Sequence, residues 1–270
     1  MRLLMYCCFF FFLFVFHGQN TRIFLVSSDT HQETDMHEFG AAFREALHLL
    51  TSFDADLLEI VALSLQVSLF AVILAALIGL PLGAVLAVSR FPGRQTVLIA
   101  LNALMGLPPV VVGLTVYLLL SRAGPLGALG ILYTPKAMVI AQTLLVAPII
   151  AALARQTVED LYGEYHEQLS ILGIGAVGRI RTLLWDARYM LITALLAGFG
   201  RAVAEVGAVI IVGGNINHVT RVMTTSIALE TSKGNLALAM GLGLVLLTIT
   251  IAVNALVSAL RLTASRSAYA

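Results

Sequence analysis

Along the chain, apolar residues gather into long uninterrupted runs rather than alternating with polar ones. Five runs are long enough to cross a bilayer, at roughly 57–88, 97–120, 137–154, 189–212 and 236–260. A helix needs about 20 residues to span about 30 Å of hydrocarbon, and each run comes close to or exceeds that length. Strands are not expected. The alternating segments of a barrel are absent, and an open sheet edge cannot be satisfied in lipid. The pattern therefore predicts an all-α polytopic membrane protein whose five-helix core occupies 57–260.

Two stretches outside these runs carry patterns of their own. Residues 156–172 place Val158, Leu161, Tyr162, Tyr165, Leu169 and Leu172 on one helical stripe, with Glu159, Asp160, Glu164 and Glu167 elsewhere. Gly173 follows where a left-handed cap is expected to stop the helix. Helices lying on anionic lipid carry Lys or Arg on the polar face; this one is acidic, which points to a protein partner. At the other end, residues 3–16 form a phenylalanine-rich run, short for a span and near the size of a signal-peptide core. Three readings of 1–35 stand: one extra short membrane helix, an uncleaved signal, or translated sequence upstream of a start at Met36. Residues 36–56 carry Phe39, Phe43, Ala46 and Leu50 near a helical period and form an outer-side amphipathic segment.

Composition narrows the function classes. Hydrophobic residues make up 59% of the 270, charged residues 11%, and mean hydropathy is +0.95, too little polar surface for a water-facing globule. Sixteen Lys+Arg against 15 Asp+Glu leave a net charge of +1, which excludes a basic nucleic-acid binder. Cys7 and Cys8 are the only cysteines and can build neither a disulfide framework nor a Cys-rich metal site. His17, His31, His37, His48, His166 and His218 all fall outside the runs or at their ends, so no metal centre is expected. The run Gly173-Ile-Gly175-Ala-Val-Gly178 imitates a dinucleotide fingerprint but follows a helix rather than a strand. If the runs alternate, Arg90, Arg94, Arg155, Arg179, Arg181, Arg188, Arg261 and Arg266 share one side, against Arg44, Arg122, Lys136, Arg221 and Lys233 on the other. That bias places the 155–188 loop and the 261–270 tail in the cytoplasm.

The chemistry sits inside the runs. Arg201 and Glu205 lie near the middle of the fourth, where a charge costs about 2.5–3.5 kcal/mol on insertion scales. Four residues apart on a helix they share a face and can pair, and Ala194, Ala197, Gly198 and Ala208 let another helix come close. Either the pair locks two helices together, or it borders a water-accessible path with Arg201 open to a passing anion. In the second run, Pro108 and Pro109 remove consecutive backbone donors, giving a packing kink or a gate. Gly79 and Gly83, flanking Pro81, form a small-residue pair suited to helix contact.

These stretches together resemble the permease subunits of binding-protein-dependent ATP-driven (ABC) importers. That family's cytoplasmic signature begins Glu-Ala-Ala, has Gly six residues after the Glu, and ends in Leu-Pro. Here Glu167-Gln168-Leu169 stands at its start and Gly173 at the glycine, while the alanines are missing and Asp186 replaces the proline. Within the family the chain is most similar to tungstate-type permeases, with molybdate permeases next. The likeness is carried by Gly106-Leu-Pro-Pro-Val-Val-Val-Gly113, Gly200-Arg-Ala-Val-Ala-Glu-Val-Gly-Ala208, Val212-Gly-Gly-Asn-Ile216 and the stretch from Arg221 through Thr224, Thr225 and Ser226 to Gly234. It runs from about Met36 to Leu260 and leaves out 1–35. The resemblance implies a type I importer permease fold in the cytoplasmic membrane of a bacterium or archaeon, with no enzymatic activity and no cofactor. It also implies a homodimer in membrane lipid, two cytoplasmic ATP-binding subunits, and an extracytoplasmic oxyanion-binding protein. Glu167, Gln168, Leu169 and Gly173 would couple to the ATPase. Arg201, Glu205, Pro108 and Pro109 would form the path or its gate. Thr224, Thr225 and Ser226 would either line its entrance with hydroxyls or cap a re-entrant turn. The competing class is an ATP-independent secondary transporter or channel for small anions.

Overall fold

A computed structural model of the chain describes Arg44 and residues 55–268; the expectations for 1–35 and for nearly all of 36–56 lie outside the described residues. Among the described residues the regular structure is entirely helical: α1 (Ala55–Val88), α2 (Arg94–Met105), α3 (Pro109–Leu120), α4 (Pro135–Ile171), α5 (Ala176–Asp186), α6 (Arg188–Val203), α7 (Gly207–Gly213), α8 (Met223–Lys233) and α9 (Leu236–Ala268), with a short 3-10 turn at Gly127–Leu129. This is the all-α polytopic membrane protein that the apolar runs predict.

The centre of the fold is the pair α1 and α4. A Cβ added at Gly79 would stand 3.0 Å from the Ala147 carbonyl oxygen, and one at Gly83 only 2.4 Å from that of Ala151. Only glycines four residues apart let the two backbones come this near, and close packing is what holds helices together in lipid. Thr143 Oγ1 donates to its own helix at Val139 O (2.7 Å) while lying 3.3 Å from Ala71 O on α1. The opposite face of α1 is bare apolar surface, with Leu77 68% exposed, as a lipid-facing helix requires. At the end of the pair, Arg94 reaches Leu86 O (2.9 Å) and Glu159 Oε1 (2.7 Å), and Glu159 also pairs with Arg155. This knot ties α1, α2 and α4 at one level.

Three elements differ from the hydropathy pattern. The second run is not a kinked helix: α2 and α3, 12 residues each, meet at 97°. Pro108 takes an extended conformation (φ −61°, ψ 125°) and Pro109 becomes the first residue of α3, where its missing N–H costs nothing. The third run does not stop at Ala154. α4 continues through the amphipathic stretch to Ile171, 37 residues in all. All of its stripe but Leu172 is covered by the chain itself: Val158 and Leu169 are buried with Ala84, Ala87 and Leu183, and Leu161, Tyr162 and Tyr165 pack against them. α1 and α5 thus supply the cover that the acidic helix was expected to find in a protein partner, and only Leu172, at the end of the stripe, stays open to one. The fourth run is interrupted at Ala204–Val206, which separates α6 from α7. α6 is itself bent 74° from α5.

Candidate translocation site

The α6–α7 interruption decides how Arg201 and Glu205 meet. Arg201 lies in the last turn of α6, and Glu205 stands beyond its end, its N–H on Ala202 O at 3.2 Å. The two do not share a helix face, which corrects the spacing argument; they pair from the last turn of α6 to the break itself, Arg201 Nη1 donating to Glu205 Oε2 at 2.5 Å. Glu205 Oε1 accepts from the Ala208 N–H (3.2 Å), so the same carboxylate serves the first turn of α7. Glu205 is 4% exposed and Arg201 37%. The carboxylate is thus sealed in protein while the guanidinium is half open, and the other Arg201 N–H groups meet no acceptor among the described residues.

Interrupting a helix in lipid frees carbonyls that need donors, and neighbouring elements supply them. Gln142 Nε2 of α4 donates to Ala202 O (3.0 Å), and Thr224 Oγ1 of α8 donates to Glu205 O (2.8 Å). Sequence reasoning missed Gln142. Its signal was a lone amide inside the apolar run 137–154, which composition averages away. Its Oε1 is buried with no hydrogen-bond partner among the described residues, as is Ser226 Oγ.

The second break lies alongside the first. A Cβ on Gly113 of α3 would stand 2.7 Å from Ala208 Cα of α7, and one on Gly207 would stand 3.0 Å from Val110 Cγ2. The turn at Pro108 and Pro109 and the turn at Glu205 are therefore neighbours, held together by glycine. Pro108 is exposed and Pro109 half-buried.

Thr224, Thr225 and Ser226 are all buried at the start of α8. Thr225 Oγ1 accepts from the Val222 N–H (3.3 Å) and donates to Asn215 Oδ1 (2.9 Å). The Met223 N–H donates to Ser64 Oγ of α1 (2.7 Å), which itself donates to Ile60 O (2.6 Å). The Thr224 and Thr225 hydroxyls thus fasten this segment, while that of Ser226 is buried without a hydrogen bond among the described residues.

The coupling candidates lie far along α4. Glu167 and Gln168 are exposed, whereas Leu169 is buried beneath them. Gly173 sits at φ +63°, its N–H on Ser170 O (3.1 Å) and that of Ile174 on Leu169 O (3.1 Å). This is the paired-bond helix stop that glycine permits. Around it Ile171, Leu172 and Val177 are 85%, 70% and 82% exposed, an apolar tip carried beyond the apolar part of α4.

At the opposite end of α1, Asp56, Glu59 and His218 bring ligand-type atoms within 4.8 Å of one another, all three exposed. His218 Nδ1 and Glu59 Oε2 are 2.7 Å apart, and that hydrogen bond raises the His218 pKa above its usual value. These are the described residues best placed to hold a cation, although the hydrogen bond already engages two of the three groups.

No protein-family profile matches the chain. Known proteins do. It is 42% identical over 226 residues to the tungstate uptake system permease protein TupB of Peptoclostridium acidaminophilum, covering 84% of this chain and 99% of that protein. It is 40% identical over 210 residues to a probable anion ABC transporter permease of Haloferax volcanii, covering 76% of this chain and 90% of that protein. The TupB protein of Campylobacter jejuni is 35% identical over 195 residues, 72% of this chain and 82% of that protein. A likeness of this depth over nearly the whole of a relative, on a helical membrane fold with two adjoining breaks, means that the chain belongs to the ABC transporter permease family that includes the tungstate uptake permeases.

Proposed function

We propose that the chain is the transmembrane subunit of an ATP-driven importer that carries an oxyanion across the cytoplasmic membrane, with tungstate as first candidate cargo and molybdate as second. The observation that carries this reading is the half-open Arg201 beside two adjoining helix breaks. An oxyanion in low dielectric needs a fixed positive charge near it, because leaving it unpaired costs several kcal/mol or more. Arg201 offers that charge with donors to spare. Glu205 keeps the guanidinium aimed and partly neutralised, so that cargo is held briefly rather than trapped. Transporter sites formed from discontinuous helices follow the same logic, since irregular backbone is tolerated at membrane depth only where protein or water meets it.

The chain carries a single copy of the segment ending at Gly173, so a symmetric pump with two ATP-binding subunits takes two copies of the permease around a shared path. The apolar tip at Ile171, Leu172 and Val177, with Glu167 and Gln168 beside it, is where each ATP-binding subunit would dock. ATP binding there would switch the dimer between inward-open and outward-open states, and an extracytoplasmic binding protein would supply the cargo. The basic residues put the tip and the C-terminus in the cytoplasm.

The test is uptake of labelled tungstate and molybdate by cells carrying the chain, its Arg201→Ala variant, or the chain without its ATPase partner. Normal membrane insertion of Arg201→Ala with uptake lost is the expected result. Unchanged uptake in that variant removes the anion role of Arg201. Uptake that persists without the ATPase establishes the competing class, a secondary transporter or channel.

A further inference from the structure

The elbow between α5 and α6 takes no part in the translocation site, yet it concentrates aromatic and basic groups. Arg188 Nη1 donates to Trp185 O (2.8 Å), and its guanidinium stands 5.0 Å from the Trp185 ring centroid and 4.7 Å from that of Tyr189. The ring of Trp185 is largely open, at 69% exposed. Arg181 projects from α5 one turn before it, exposed, and with Val177, Ile180, Leu184 and Trp185 it lines an open groove. Asp186 is the acid on this elbow, so Arg181 and Arg188 leave it net positive. Arg179 is engaged in the fold, on Ile174 O at 2.7 Å.

Packing fixes the depth of this elbow. Ala187 and Leu191 are buried against Ala154, the residue where the apolar run of α4 gives way to Arg155. α6 turns apolar from Met190 onward, while α5 departs at 74° to it. The elbow therefore lies where the chain leaves hydrocarbon, and α5 runs closer to the membrane plane than across it. Tryptophan and tyrosine settle at that level, and a basic amphipathic helix lying there is attracted to anionic lipid.

We infer that the Trp185–Arg188–Tyr189 elbow, with Arg181, is a recognition site for the phosphate headgroup of an anionic phospholipid. The rings carry the apolar contact and hold the guanidinium at headgroup height. The donors of Arg188 not used on Trp185 O, and those of Arg181, take the phosphate oxygens in charge-assisted bonds. A protein surface is the other occupant such an elbow could have. Level argues against it: Val177 at the far end of the groove belongs to the tip, whereas Trp185, Arg188 and Tyr189 flank Ala187, which packs at the height of Ala154 where α4 leaves hydrocarbon.

Trp185 is the only tryptophan in the chain, so its fluorescence reports this site alone. The full chain would be reconstituted in phosphatidylcholine vesicles containing either phosphatidylglycerol or phosphatidylcholine with acyl chains brominated near the headgroup. Preferential quenching by brominated phosphatidylglycerol is expected, with local enrichment about fivefold, the factor that roughly 1 kcal/mol per basic residue near the surface gives. Arg188→Gln should bring the two lipids to parity with the emission maximum unchanged, and Arg181→Gln should reduce the preference. Equal quenching by both lipids in the unaltered chain would overturn headgroup recognition. Quenching by neither, with an emission shift on adding the ATPase subunit, would make the elbow a protein-docking surface instead.

Discussion

Gly106 and Gly113 bound the same short motif, yet the structure gives them opposite sensitivities. A Cβ at Gly113 would lie 2.7 Å from Ala208 Cα, 3.1 Å from Ala208 O and 3.3 Å from Ile211 Cδ1. Carbon pairs rest at about 3.5–4.0 Å, so α3 and α7 must separate by about 1 Å, and the main obstacle is backbone that no rotamer change relieves. Overpacking of this kind costs about 1–3 kcal/mol. The separation also strains the bond from the Ala208 N–H to Glu205, already 3.2 Å long, and so loosens the carboxylate that aims Arg201. At Gly106 the nearest atom to a new Cβ is Ala103 O at 3.6 Å, an ordinary contact, and φ is −90°. Gly113→Ala should therefore lose about 1–3 kcal/mol in reversible unfolding from mixed detergent micelles and lower oxyanion uptake, while Gly106→Ala should stay within about 0.5 kcal/mol of the parent. Equal stability of Gly113→Ala and the parent, or a larger loss at Gly106, would refute the claim that glycine sets the approach of the two breaks.

Other predictions rest on separate observations. Glu205→Gln strands Arg201 without its counter-charge and should destabilise by about 1–3 kcal/mol, the range for a pair that is sealed on one side only. Adding Arg201→Gln should restore part of that loss, and strict additivity in the double-mutant cycle would dismiss the pairing. Leu169→Ala, buried in the α1–α4–α5 cluster, should cost about 2–4 kcal/mol. By contrast Leu172→Ala should leave stability intact and weaken capture of the ATPase subunit in a pull-down. The raised His218 pKa means that its contact with Glu59 contributes fully below the unfolded pKa of about 6.5 and is lost as pH rises through the higher folded value. The stability difference between the parent chain and His218→Gln, read by unfolding from detergent micelles, should thus be larger at pH 6 than at pH 9, and an equal difference at both would dismiss the contact.

Much of the fold could be read from residue order. α1, α9 and the first half of α4 follow from apolar runs, the helix stop at Gly173 from a lone glycine ending a periodic stretch, and a close helix contact, though not its partner α4, from Gly79 and Gly83. What hydropathy hides is backbone continuity. The residues Ala204-Glu205-Val206 read as part of a span because a window averages over them, although α6 ends there. Two consecutive prolines announced a disturbance, but whether they give a kink or a 97° turn depends on where α3 finds its partner, α7. The stripe from Val158 to Leu172 reads as apolar and in need of cover, and period alone cannot say that the same chain covers it as far as Leu169 and leaves Leu172 open. At the site, Arg201 and Glu205 stood out as charges in an oily run. Gln142 and Ser64 did not, since a single amide or hydroxyl earns its role only from the carbonyl or N–H that folding brings beside it.

The unbroken length of α4 has a mechanical corollary. One rod carries Gln142, fixed to the Ala202 carbonyl beside the ion pair, and Leu169, wedged next to the Gly173 cap. The 27 residue steps from one to the other amount to about 40 Å of helix at 1.5 Å per residue. Such a rod bends most easily where its ladder lacks a rung, and Pro148, with no N–H to donate, removes one six residues past Gln142, so a push or twist at the tip is concentrated there. The protein thus joins the Gly173 tip to the break at Glu205 through one long helix whose compliant point, at Pro148, lies close to the ion pair rather than to the tip.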